Sequence, residues 1–296
     1  MNVNTILIAT DFSPAAHSAS LYGIQLAKAM KAHAILFSAC HVEHTSPVSN
    51  PKVNHLALME KTKKKLADEA DDLIKGHELQ LEIVCKEGSP HEAILAMAKE
   101  KGVALIVVGM KSSGKDSKKM FNSTTSGLMN SLGIPTLLVP DGNSFTIPKN
   151  ILFASDVFLD TAISSIDQVQ WLTQFFASKL FVVRVVKDSY EEVRENVNTP
   201  HNLRRELKTL NTSFSFPVNK NNTDGLNEFV SGQKVDLIIM KPRKDEWLES
   251  LFVKTKTKDM VFHWHVPVLI LSDTKITNTD AVQTMDNYSH KIDRSW

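Results

Sequence analysis

Cysteine is scarce in this chain: 296 residues hold only Cys40 and Cys85, without CxxC spacing, which argues against a disulfide framework or a zinc ribbon. Both lie in strand-like apolar segments and read as buried thiols of a reducing compartment. Aromatic residues are only 7% of the chain, and the basic runs lack the aromatic interleaving or fold signature of a nucleic-acid face. Lys61, Lys63, Lys64 and Lys65 stand beside Leu66, Ala70 and Leu73, the pattern of a covering helix with a solvated side. No window approaches the roughly 18 apolar residues of a membrane span, and the first residues enter a strand-like segment without an apolar leader. A formal net charge of +1 gives no pull toward nucleic acid or an anionic membrane. The expectation is a soluble cytoplasmic protein that uses neither.

Catalytic signatures are missing too. There is no GxGxxG, Walker loop, HExxH helix, paired-carboxylate motif or Ser-His-Asp order. His263 and His265 flank Trp264, but no nearby carboxylate or cysteine completes a metal set. The reading is no catalytic residue and no metal site.

What is present is a repeat. The stretch from Val103 to Lys111 returns from Val235, and Pro135 to Val139 returns from Pro267, both at an offset of 132 residues. Ile6 to Phe12 matches Ile151 to Val157 at an offset of 145. The second copy is thus shorter in its middle, and the chain divides into a domain at 1–141, a linker at 142–149, a second domain at 150–272 and a polar tail at 273–296. Each half is long enough to bury a core of its own.

Copy one alternates strand-like segments near 5–10, 34–42, 79–85, 103–109 and 135–139 with helical patterns near 14–31, 52–75, 90–101 and 122–132. That alternation predicts an α/β fold, a parallel sheet with helices on both faces. Ser13-Pro14 reads as an N-cap with proline at the first helical position, and Ser89-Pro90-His91-Glu92 as a capping box. In copy two, Ile163, Ile166, Val169, Leu172 and Phe176 form a helical stripe between strands near 150–155 and 180–186. Pro200 opens a further helix carrying Leu203, Leu207 and Leu210, and Phe214, Phe216 and Val218 alternate as a strand does.

In such sheets ligands sit beyond the carboxyl ends of the strands. Strand one ends in Thr10-Asp11-Phe12-Ser13; Asp11 can accept from ribose hydroxyls or a base amine, and it can equally cap the next helix. Strand four ends in Val108-Gly109, followed by Ser112 and then Asn122-Ser123-Thr124. A glycine there lets a phosphate approach the backbone, and a helix N-terminus with hydroxyl donors binds anions; Asn122 or Ser123 also caps the helix.

Residues 6–13, Cys40 to Val42, the Gly109 loop, Asn122 to Thr124 and Ile134 to Val139 together resemble the universal stress protein family, in a tandem two-domain form. The resemblance implies two five-stranded parallel-sheet domains of the adenine nucleotide alpha hydrolase type, packed as a pseudo-dimer through strands 135–139 and 266–271. The family divides into members that bind ATP and members that do not. Against its Gly-x2-Gly-x9-Gly-[Ser/Thr] pattern, Gly109 matches, Ser112 and Asn122 replace glycines and Ser123 keeps the hydroxyl. Asp11 matches the aspartate on the base and ribose side, and Val42 the residue whose backbone meets adenine. In copy two Lys241, Lys244 and Lys254 replace all three glycines, Thr255 keeps the hydroxyl and Asp156 remains. The implied function is a non-catalytic stress-response protein. It would bind ATP or ADP, with Mg2+ as companion ion, in the first domain alone, and would act on protein partners. A nucleotide-free scaffold and a slow ATP hydrolase are the rivals, and self-association as a homodimer stays open.

Overall fold

A computed structural model describes residues 3–40, 51–75, 79–111, 127–128, 134–154, 163–198, 201–241 and 265–271. The first half runs β1 (Thr5–Ala9), α1 (Pro14–Met30), β2 (His33–Cys40), α2 (Pro51–Ile74), β3 (Leu81–Glu87), α3 (Pro90–Glu100), β4 (Leu105–Met110) and β5 (Thr136–Pro140). The second runs β6 (Asn150–Ala154), α4 (Ile163–Phe175), β7 (Lys179–Val183), α5 (Ser189–Asn198), α6 (His201–Glu206), β8 (Thr212–Ser215), α7 (Asn222–Gln233), β9 (Leu237–Met240) and β10 (Val268–Ile270). The strands form one sheet in the order β3-β2-β1-β4-β5-β10-β9-β6-β7-β8. Neighbours are parallel throughout except where β5 meets β10 antiparallel.

The strands alternate between two cores, as buried parallel strands must. Ile6, Ile8 and Leu36 face a layer made by α1, α2, α4 and α6, while Leu7, Ile35 and Phe37 face α3 and α7. Helix α1 is built for close approach. Ser13 caps it, accepting from the Ala16 amide at 3.2 Å, ahead of Pro14. Ala15, Ala16, Ala19, Gly23 and Ala27 share its buried side with Tyr22, Ile24 and Leu26, and at Gly23 a Cβ would stand only 2.8 Å from the Ile8 side chain.

The β5–β10 pairing carries the sequence repeat into three dimensions. Leu137 pairs with Leu269, which is its own counterpart at the 132-residue offset, and Leu138–Val268 and Thr136–Ile270 flank it. A pseudo-twofold axis therefore passes through the Leu137–Leu269 pair, as the sequence predicts. Around it lies a small apolar cavity of about 30 Å3. Its walls come largely in equivalent pairs, Leu26 with Leu172, Met30 with Phe176 and Leu105 with Leu237, closed by Tyr22, Phe145 and Pro148. Tyr22 meets Phe145 edge-on at 5.2 Å, and burial, followed by the charge of Asp236, pushes its phenol pKa well up. Asp236 also fixes the chain entering β6, accepting from the amides of Lys149 (2.8 Å) and Asn150 (2.9 Å).

Several local expectations need correction. Ser89 is the N-cap of α3 but its side chain makes no capping hydrogen bond; its hydroxyl lies 3.3 Å from His91 Nδ1 instead, so the ring competes for the group that a capping box would use. Helix α6 stops at Glu206, leaving Leu210 in the turn that follows. Strand β8 ends at Ser215; Pro217 supplies no amide there, and Val218 makes only an isolated bridge with Val186. Helices α5 and α7 are not among the elements expected from the sequence, although Leu226, Phe229 and Val230 of α7 stand at helical spacing. The expected helix at 122–132 and the tail at 273–296 lie outside the described residues, apart from a helical pair at 127–128.

Both cysteines are free. Ser38, not Cys40, is the register partner of Cys85. The diagonal across neighbouring strands then separates the two cysteine Cα atoms by about 8 Å, beyond the reach of about 7 Å for a disulfide without backbone movement. Burial pushes the Cys85 thiol pKa up, so it is a poor nucleophile at neutral pH.

Candidate functional site

The carboxyl ends of β1 and β4 lie side by side, with Ala9 opposite Val108, so Asp11 and Gly109 open onto one end of the sheet. Thr10 is 6% exposed and ties the exit from β1 in three directions. Its amide donates to the Phe37 carbonyl at 2.9 Å, its hydroxyl accepts from the Phe12 amide at 3.0 Å and it donates to Glu69 Oε2 at 3.0 Å. Phe12 takes a left-handed conformation with φ of 62°, which costs a non-glycine residue roughly 1–2 kcal/mol. Such a conformation persists only where its surroundings over-determine it. The Thr10 hydroxyl, the apolar contacts of Phe12 with the core and Lys65 Nζ at 5.5 Å from its ring centroid supply that constraint.

Asp11 is exposed at the tip of this turn. Its Oδ1 accepts from the Ser13 amide at 3.0 Å, while Oδ2 has no hydrogen bond among the described residues. The two readings of Asp11 are thus compatible, since one oxygen braces the helix entrance and leaves the other without a bond to the described residues. Val108 is buried at 5% exposure among the apolar residues of the α3 face, so only its backbone can serve a ligand.

Gly109 has a reason to be glycine that the sequence does not disclose. A Cβ there would stand 2.4 Å from the Ala15 carbonyl oxygen, 2.5 Å from its carbon and 2.6 Å from the Ala16 nitrogen. The first turn of α1 occupies the space. This glycine is demanded by helix packing, whatever the ligand.

Val42, Ser112, Asn122, Ser123 and Thr124 lie outside the described residues, as do Asp156, Lys244, Lys254 and Thr255 of the second half. The base and ribose side of the expected site is therefore described through Thr10 and Asp11, and its phosphate side only through Val108 and Gly109. In the second half Lys241 stands half-buried where the first has Gly109. Beyond β7, Arg184 is held by Glu195 at 2.8 Å and Glu191 at 3.5 Å, which fills that end of the half with its own ion pairs.

Two residues escaped the sequence reading. Glu69 and His17 sit against the exit from β1, with His17 Nδ1 3.5 Å from Glu69 Oε1. The clue was position: Glu69 falls three residues after Leu66 and next to Ala70, on the buried stripe of α2 instead of its lysine-rich side. No cluster of three or more His, Cys, Asp or Glu suited to a metal occurs among the described residues, and no helix among them is long and apolar enough to cross a membrane.

The family model described as the universal stress protein family matches residues 2–140, and this chain carries a domain of that family. No curated protein matches it. Among solved structures, a universal stress protein from Archaeoglobus fulgidus DSM 4304 superposes with a TM-score of 0.70 at 14% identity, covering 93% of this chain and 100% of its own. A universal stress protein from Pseudomonas aeruginosa UCBPP-PA14, described as putative, covers 91% of this chain and 93% of its own, with a TM-score of 0.52 at 14% identity. At such identities these likenesses establish the fold alone. A universal stress protein in complex with cAMP covers 48% of this chain and 100% of its own at 18% identity, with a TM-score of 0.37; that complex is a property of that protein.

Proposed function

We propose that residues 1–141 form a non-catalytic adenine-nucleotide-binding domain of a cytoplasmic stress-response protein. Residues 142–149 are its linker, 150–272 a second domain of the same family that takes no nucleotide, and 273–296 a polar tail. The observation that carries the reading is Asp11: an exposed carboxylate at the carboxyl end of β1, braced through one oxygen by Ser13, with the other open to a ribose hydroxyl or base amine. The residues described on that side suit a nucleoside edge rich in donors. The phosphates, with Mg2+ as their companion, would fall to Ser112, Asn122, Ser123 and Thr124. ATP or ADP would act by preferring one state of the domain, since a ligand shifts a partner interaction only through that preference.

Titration calorimetry tests this. Removing an acceptor of charge-assisted hydrogen bonds costs about 1.5–3 kcal/mol, so Asp11→Ala should weaken ATP by about tenfold to a hundredfold, while Asp156→Ala leaves the affinity alone. A wild-type chain that gives no heat with millimolar ATP would sink the proposal. One observation favours a nucleotide-free scaffold instead: the α1 contact accounts for Gly109 without any phosphate. Under that reading protein partners, not nucleotides, would be the ligands, and a second copy of the chain would be one candidate.

A further inference from the structure

We propose that Glu69 is a positioning residue for the ligand-facing carboxylate of Asp11; the inference rests on the nucleotide reading of the first half. Glu69 belongs to α2, far along the chain from the β1–α1 turn, yet its side chain is only 9% exposed. One of its oxygens receives the Thr10 hydroxyl proton at 3.0 Å. That bond aims the hydroxyl: with its single proton committed to Glu69, its lone pairs are left to accept the Phe12 amide at 3.0 Å. Phe12, with its positive φ, is the residue that turns the chain between Asp11 and Ser13. The relay from Glu69 through Thr10 to Phe12 thus fixes the backbone on which Asp11 stands. Asp11's own brace is a single exposed bond to Ser13 and cannot fix it alone.

The second Glu69 oxygen is buried with no hydrogen bond among the described residues; its neighbour is the His17 ring at 3.5 Å, which is half-exposed at 49%. The carboxylate therefore serves two contacts that substitution can separate. Glutamine keeps an oxygen that can accept the Thr10 proton and loses the negative charge beside His17, whereas alanine loses both.

The test is ATP affinity by calorimetry alongside the thermal midpoint for wild type, Glu69→Gln, Glu69→Ala and Thr10→Val. A lost charge-assisted bond predicts about a tenfold weaker affinity for Glu69→Ala, with Glu69→Gln within about threefold of wild type. Glu69→Ala should also melt below wild type, because it leaves the buried Thr10 hydroxyl without its acceptor. Thr10→Val, which keeps the shape and removes the hydroxyl, should match Glu69→Ala in affinity and carries the test if the alanine variant does not fold. Unchanged affinity in Glu69→Ala or in Thr10→Val overturns the proposal while leaving the nucleotide site standing. Equal weakening by Gln and Ala also overturns it, because the charge and not the hydrogen bond would then matter. A wild-type chain that binds no ATP removes the nucleotide reading itself, and this inference with it.

Discussion

Gly109→Ala lowers the stability of the chain by about 3 kcal/mol, at the upper end of the usual cost of overpacking. It thereby moves the thermal midpoint down by roughly 5 °C for a protein of this size. The size of the effect follows from what the new methyl would strike. Its neighbours at 2.4–2.6 Å are backbone atoms of Ala15 and Ala16, and a backbone cannot rotate aside as a side chain can. The first turn of α1 would have to retreat, and with it Ala16, Ala19 and Tyr22, all buried against the sheet. A thermal melt decides the matter: a midpoint within a degree of wild type would show that α1 can yield. The same geometry warns against Gly109→Val as a probe of phosphate binding, since lost affinity would report a displaced helix.

The second large effect lies at the seam. Leu269 is 5% exposed, pairs with Leu137 on the pseudo-twofold and lines the apolar cavity with Leu26, Met30, Leu172 and Phe176. Leu269→Arg places an unpaired guanidinium there, at a cost of about 3–5 kcal/mol, comparable to that of an uncompensated buried charge. Each half has its own strands and covering helices, so what fails first is the β5–β10 junction. Calorimetry should then resolve two unfolding transitions where wild type shows one, and the freed edges of β5 and β10 should make the variant self-associate. A single transition at the wild-type midpoint would contradict this account of how the halves are joined.

The architecture was legible because it is repetitive. Constant offsets located the last strands and make Leu269 the counterpart of Leu137; that the two face each other across the twofold came from the structure. Helix starts at Ser13-Pro14 and Ser89-Pro90 were readable because proline fixes φ and lacks an amide. What sequence could not supply was the reason behind a residue type. Gly109 reads as a phosphate glycine by its place after a strand, yet the structure gives it a packing role, and only the distance to Ala15 discriminates. Glu69 was hidden among the charges of α2, because a single acidic residue on a buried stripe looks like its solvated neighbours until its partner is known. Thr10, 59 residues away, is that partner.

The central claim is that the first half holds an adenine nucleotide through Asp11. Its most direct test is denaturing extraction of freshly purified protein, with chromatography and mass spectrometry of what is released, followed by a thermal melt with added ATP. The account predicts ATP or ADP in the extract of wild type and not of Asp11→Ala, and a higher wild-type midpoint with ATP, since a ligand at about a hundred times its Kd adds roughly 2.7 kcal/mol to stability. An empty extract together with a midpoint that ignores millimolar ATP would contradict it and leave both halves as nucleotide-free domains.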